Sequence, residues 1–275
     1  LIGDNTSTSK SLFTYNQGIS ELLWWFFLDK KNLNYKIEVK MVEGKDTNID
    51  VQFKSSNITY NIEIKSPEYP IMKEDTLHGR IEVRVPNVDM ISILNEVSEL
   101  FSNAIENSKY KKVEKVLPKE NKIKDCLLSA QKKFVENSES NCNILFISTT
   151  TDELVSYIDY FVNPFSGFFT SSSYIEHSQF DKVKAVILSN AISMNENEVG
   201  KGWDLSYATN LIFNNPFCKY KDDHVLDNIL NLLPNVTREY HLEQIKFNKE
   251  QSQKKEELRL PYLTFLLEFV HKYRK

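Results

Sequence analysis

Glycine is scarce, at seven in 275 residues. No GxxxxGK[ST] or GxGxxG can be drawn through them, which excludes a glycine-rich loop cradling a nucleotide phosphate. Cysteine is scarcer still: Cys126, Cys142 and Cys218 are odd in number, far apart and free of CxxC spacing. That pattern suits reduced thiols in a cytoplasmic protein and excludes a disulfide framework or a cysteine zinc site. The five histidines show no HExxH spacing. No apolar run reaches membrane-spanning length and no signal-peptide pattern opens the chain, so no membrane partner is expected. A net basic charge is also missing: the formal balance is -4. Any contact with nucleic acid must then come from local patches. What is there is 41% hydrophobic and 26% charged. This ordinary globular composition is enough for one large domain or two small ones.

The chain is organised around residues 48–66. Ile49, Val51 and Phe53 alternate with polar residues, and so do Ile58, Tyr60, Ile62 and Ile64. A period of two over such short runs predicts half-buried strands. Ser56-Asn57 between them is small and polar, and Asn tolerates left-handed backbone, so a tight hairpin is expected there. With the turn centred on that pair, Asp50 faces Glu63. Both have the parity opposite to the apolar set, as has Lys65, giving one apolar face and one polar face exposed to solvent. Two carboxylates directly opposed across strands repel, and a cation reverses the sign of that cost. Mg²⁺ is the natural candidate, because it takes one or two carboxylates plus waters and substrate phosphate. The plainer reading is an ordinary solvated strand face carrying Glu and Lys two residues apart.

Asp50, twelve intervening residues, then Glu63-Ile64-Lys65 resembles the signature of the PD-(D/E)xK nuclease superfamily. Ile49 stands where that family often has Pro. The resemblance implies that Asp50 and Glu63 bind Mg²⁺, with Mn²⁺ able to substitute and the Ile64 carbonyl as a further ligand. It implies that Lys65 assists phosphodiester hydrolysis. It also implies that a Glu on the first helix approaches the metal, a role Glu21 matches by position, and that a Gln on the helix after the ExK strand points into the site, which Gln131 matches loosely. Lys132 is the neighbouring candidate for a phosphate contact.

In chain order, residues 1–15 are rich in Ser and Thr and read as loop. From Gln17 to Lys31 the residues are apolar nearly all round, which predicts a buried helix. Glu21 shares a stripe with Gln17, Trp24, Trp25 and Leu28. A buried carboxylate there needs a partner, while a first-turn Glu is also what the helix dipole favours. Tyr35 to Val42 alternates once more. After the hairpin come Arg80 and Arg84, a helix over 88–107, a lysine-rich run over 109–124 that is the best local basic patch, and a helix over 123–135. Strands follow over 143–148, 183–188 and 207–213, with a helix over 152–161 and an aromatic loop over 163–173. The end of the chain holds a helix over 222–233, a charged stretch, and an apolar helix opened by Pro261 that packs on the core or forms a homodimer surface.

The fold class expected is α/β. The resemblance implies a restriction-endonuclease-like core over 1–220, a mixed sheet opened by a helix and a three-strand antiparallel meander, with a helical C-terminal extension over 221–275. The function it implies is a metal-dependent nuclease acting on DNA, in bacterial defence, restriction or repair. The alternatives are a catalytically retired module of the same fold that binds nucleic acid or a protein, and a hydrolase of some other phosphoester.

Overall fold

The computed structural model describes residues 8–41, 44, 47–67, 119–163, 167–171, 173–193 and 203–233. Arg80, Arg84, the helix expected over 88–107, most of the lysine run and the helix after Pro261 lie outside the described residues.

Helix α1 (Thr8–Lys30) is followed by strands β1 (Tyr35–Lys40), β2 (Asn48–Ser55) and β3 (Ile58–Lys65). Then come helix α2 (Lys119–Lys133), strand β4 (Asn141–Ser148), helix α3 (Thr151–Val162), strands β5 (Ala185–Ser189) and β6 (Asn210–Asn214), and helix α4 (Asp227–Leu232). The six strands form one mixed sheet in sequence order. β1, β2 and β3 are an antiparallel meander, β3, β4 and β5 run parallel, and β6 is antiparallel to β5. Ser56 and Asn57 both have positive φ, at 48° and 68°, the turn whose twist matches the flanking strands. It sets the expected register, with Ser55 opposite Ile58 and Val51 opposite Ile62.

Each face of the sheet carries its own core. α1 lays Ile19, Leu23, Trp24, Phe27 and Leu28 on Val51, Phe53, Ile62, Ile64, Ile144 and Phe146. On the opposite face, Ile123, Leu127 and Ala130 of α2 and Tyr157 and Phe161 of α3 cover Leu145, Ile147, Val186 and Leu188. This is helices on both faces of a mostly parallel sheet. The parallel strands are buried on both sides and so read as nearly continuous apolar runs. Val225, Leu226, Ile229 and Leu233 join the α1 face, and the Tyr60 hydroxyl donates to the Val225 carbonyl at 2.7 Å. The start of the expected C-terminal extension is thus part of this core. The three cysteines are buried and unpaired. Among the described residues no helix is long and apolar enough to cross a membrane.

Four details depart from the sequence expectations. α1 begins at Thr8 rather than near Gln17, because the weak helix preference of Ser and Thr is easily overridden. It is not buried all round: Tyr15 and Phe26 are 52% and 49% exposed. β6 starts at Asn210, because Asp204 accepts the Ser206 N–H and turns the chain first. The helix expected over 222–233 divides into a 3₁₀ turn at His224–Leu226 and the short α4.

Trp24 carries the docking of α1. Its ring meets Phe27, Phe53 and Phe146 at centroid distances of 5.8, 6.1 and 5.3 Å. We expect Trp24→Ala to lower unfolding stability by about 3–5 kcal/mol in denaturant titration. A loss under about 1 kcal/mol would mean that α1 is held by other contacts.

Candidate functional site: an acid–lysine cluster at the end of the hairpin

The sheet is interrupted at Asp50 on both sides. Towards β1, pairing runs Ile37–Val51 and Val39–Ile49. Glu38, which stands opposite Asp50, has φ of 50°. Left-handed backbone at a non-glycine residue is costly and collects at functional sites. Towards β3, the paired register stops at Val51–Ile62. Beyond it the Ile64 N–H donates to the Asp50 carboxylate, 2.6 Å from Oδ2. The alternation also changes face here. Ile49, expected beside Val51 and Phe53, packs instead with the α2-side core.

Gln17 of α1 completes the frayed edge of β3. Its Nε2 donates to the Ile64 carbonyl at 3.0 Å, and its Oε1 accepts the Ser66 N–H at 2.9 Å. A side-chain amide here pairs with the strand as a neighbouring peptide would. The same Nε2 donates to Glu21 Oε1 at 2.8 Å. Glu21 is therefore brought to the end of β3, sharing the Gln17 Nε2 donor with the Ile64 carbonyl. Nothing in the sequence singled out Gln17 for this role beyond its place one turn before Glu21.

Glu63 sits beside Leu145 in the parallel β3–β4 register and so faces α2. Its side chain is 0% exposed. This corrects the expectation of a wet polar face: α2, folded down from later in the chain, covers it. One pleat back, Gln52 donates to Asn61 at 2.9 Å, and Asn61 donates to Asn141 and Asn143 at 2.7 and 2.8 Å. Asn143 in turn donates to the Val135 carbonyl at 2.6 Å. This satisfied polar seam fixes the exit of α2 against the sheet.

Two ammonium groups meet the buried carboxylate. Lys65 Nζ and Lys133 Nζ each lie 2.6 Å from Glu63 Oε1, with side-chain exposures of 26% and 19%. The contacts are ionic rather than well-directed hydrogen bonds, and among the described residues no hydrogen-bond partner faces Oε2. Lys133 was missed by sequence reasoning, which looked to its exposed neighbour Lys132. The signal was available: Lys133 falls on the helical stripe of Ile123, Cys126 and Ala130, where an apolar residue is expected. Gln131 is a correction. Its Oε1 accepts the Lys182 N–H at 2.8 Å and its Nε2 donates to Asp181 at 2.7 Å. It clamps the loop before β5, because two residues along a helix turn the side chain well away from Lys133.

The charges act on one another. Burial, and then Glu63, push the Asp50 carboxyl up to about 6, against the Ile64 N–H and the ammoniums of Lys65 and Lys133. Burial alone would lower the Lys65 ammonium, but Glu63 and then Asp50 outweigh it and hold it above its ordinary range. Lys65 is thus a charge donor at neutral pH and not a base. Among the described residues no three His, Cys, Asp or Glu gather as a metal site. Two carboxylates suffice for Mg²⁺, which keeps several waters, and the unpartnered Glu63 Oε2 is the kind of buried acceptor such an ion satisfies. Asp50 and Glu63 therefore fit a divalent cation. The Ile64 carbonyl, already accepting from Gln17, has one lone pair left.

The fold defines an α/β protein with an open six-stranded mixed sheet between helical layers. No family model, curated protein or solved structure matches the chain.

Between 3.8 and about 6 the folded chain keeps a proton on Asp50 that the unfolded chain has released. Stability attributable to this group therefore falls as pH rises through that window and stays reduced above it. Asp50→Asn keeps an acceptor for Ile64 and removes the charge. We expect the variant to be about 2 kcal/mol more stable than the parent at pH 8, with the gap closing near pH 4. Thermal melts across pH measure this; a variant less stable at pH 8 would refute it.

Proposed function

We propose that this chain is a divalent-metal-dependent nuclease with a restriction-endonuclease-like core, hydrolysing phosphodiester bonds in DNA. The observation that carries the reading is the buried Glu63 carboxylate, one oxygen without a hydrogen-bond partner among the described residues, in the same charge cluster as Asp50. The element order supports it: a helix, an antiparallel meander, a helix and a parallel strand. So does the strained Glu38 opposite Asp50.

On this reading Asp50 and Glu63 hold Mg²⁺ or Mn²⁺, with the Ile64 carbonyl beside them and Glu21 orienting the outer waters. When bound, the ion supplies Lewis-acid polarisation of the phosphate and a lowered water pKa. Lys65, charged at neutral pH, offsets the negative charge that grows on the phosphoryl oxygens. Asp50 must be ionised to bind the ion, so affinity for the ion declines as pH falls through about 6. Defence, restriction and repair all use such chemistry.

One observation favours a second reading. Two ammoniums on Glu63 and two ionised acids make a neutral set, which a retired module of the same fold could keep without any ion.

Supercoiled plasmid incubated with Mg²⁺, Mn²⁺ or EDTA separates the two. We expect nicking with either metal and none in EDTA. Asp50→Asn, Glu63→Gln and Lys65→Ala should each lower the rate by at least about a hundredfold. Gln is preferred to Ala at Glu63, since its amide oxygen remains an acceptor for the two ammoniums and fills the same space, whereas truncation leaves neither and costs about 3 kcal/mol of stability. Metal-independent nicking, or full activity in a variant, removes the nuclease assignment. Calorimetric silence towards Mn²⁺ in the wild type and in a charge-reduced variant favours the retired module.

A further inference from the structure

Glu63 Oε1 holds two ammoniums that differ in origin. Lys65 is two residues from Glu63 on the same strand and face, so its proximity is built into β3. Lys133 comes from the covering layer, at the last residue of α2. The α2 backbone there is fixed by neighbours on either side. Ala130 and Phe134 are buried against the sheet, the Phe134 N–H donates to the Ala130 carbonyl at 3.1 Å, and Asn143 holds the Val135 carbonyl. What remains adjustable is the four-carbon stem of Lys133.

With both ammoniums on Oε1, a divalent cation taking Oε2 would stand only a few ångströms from two positive charges, and like charges repel strongly where water is scarce. One ammonium must withdraw as the ion enters. Lys65 acts on both acids, and its effect on Asp50 exceeds that of Lys133. Lys133, reaching in from α2 and acting less on Asp50, is the one with less to lose.

We propose that Lys133 is a displaceable counter-ion: it neutralises Glu63 in the ion-free protein, yields its place to a divalent cation, and then pairs a phosphate oxygen of the substrate. This rests on the nuclease reading and adds to it a residue from α2 that couples ion entry to substrate binding. The cost of the exchange is that Lys133 competes with the ion. Its removal should strengthen metal binding while weakening the substrate contact, a split that a purely structural lysine would not produce.

The test is Mn²⁺ titration by calorimetry on the full chain, for the wild type, Lys133→Met and Lys133→Arg, with plasmid cleavage kinetics alongside. Met matches the stem and carries no charge, and Lys65 still neutralises Glu63, so the variant is expected to fold. Lys133→Gln serves if it does not. We expect Lys133→Met to bind Mn²⁺ about tenfold more tightly at unchanged stoichiometry, and its KM for DNA to rise severalfold. Lys133→Arg should stay near the wild type in both. Equal or weaker Mn²⁺ binding by Lys133→Met, with the wild type binding normally, overturns the proposal and leaves the nuclease reading intact. Absence of Mn²⁺ binding from the wild type and Lys133→Met alike overturns both.

Discussion

The structure around the hairpin depends on one costly act: placing the Glu63 carboxylate where no water reaches it. Removing a carboxylate from water costs several kcal/mol even after relaxation, and only close opposite charge repays it. Here the repayment comes from two directions, Lys65 along the strand and Lys133 from the helix above, both 2.6 Å from the same oxygen. α2 thus brings its own ammonium to the carboxylate that it covers, in addition to the one β3 supplies. The polar seam of Gln52, Asn61 and Asn143 extends this dependence down the sheet, tying the exit of α2 to β4 through a chain of amides.

The second constraint is what happens to a sheet when one of its inner strands stops pairing. β2 leaves β3 after Val51, exposing the inner edge of β3 at Ile64 and Ser66. Unpaired backbone groups in a core are as costly as lost hydrogen bonds. The chain answers with side chains: Asp50 takes the Ile64 N–H, and Gln17 takes the Ile64 carbonyl and the Ser66 N–H. The strand edge thus becomes a place where acids and amides from α1, β2 and β3 converge. α1 is held there by Trp24 and its aromatic neighbours, seven residues beyond Gln17.

Much of this was legible in the sequence, and what was not has identifiable causes. The hairpin, its turn at Ser56-Asn57 and the Val51–Ile62 register follow from period-two alternation and turn chemistry, which are local. Among the described residues the six strands and the helices over 123–135 and 152–161 were also readable, with errors at their ends, where capping and tertiary contacts decide. The burial of Glu63 was not readable, because parity assigns a residue to a face but not what later covers that face. Gln131 misled because a residue type was matched to a helix without its rotation. Lys133, two positions on, carried the rotational signal as a charge on an apolar stripe. Gln17 was invisible for a different reason: its partners are backbone groups, and backbone groups leave no trace in composition.

The charge balance of the cluster bears on how an ion and a substrate would meet in it. With Asp50 ionised, two acids and two ammoniums cancel, so a divalent cation arriving alone leaves the site with excess positive charge in a partly dry setting. A phosphodiester arriving alone meets ammoniums already engaged by Glu63 and a net charge near zero. On the proposed reading they would relieve each other: the ion would take the place beside Glu63, and an ammonium would be released towards the phosphate. By linkage, whatever the ion adds to substrate affinity the substrate adds equally to ion affinity. On the proposed reading, a chain with a net charge of -4 needs no broad basic surface at this point. The local field favourable to a phosphate is assembled only when the ion is present, by redistributing charges the fold has already buried.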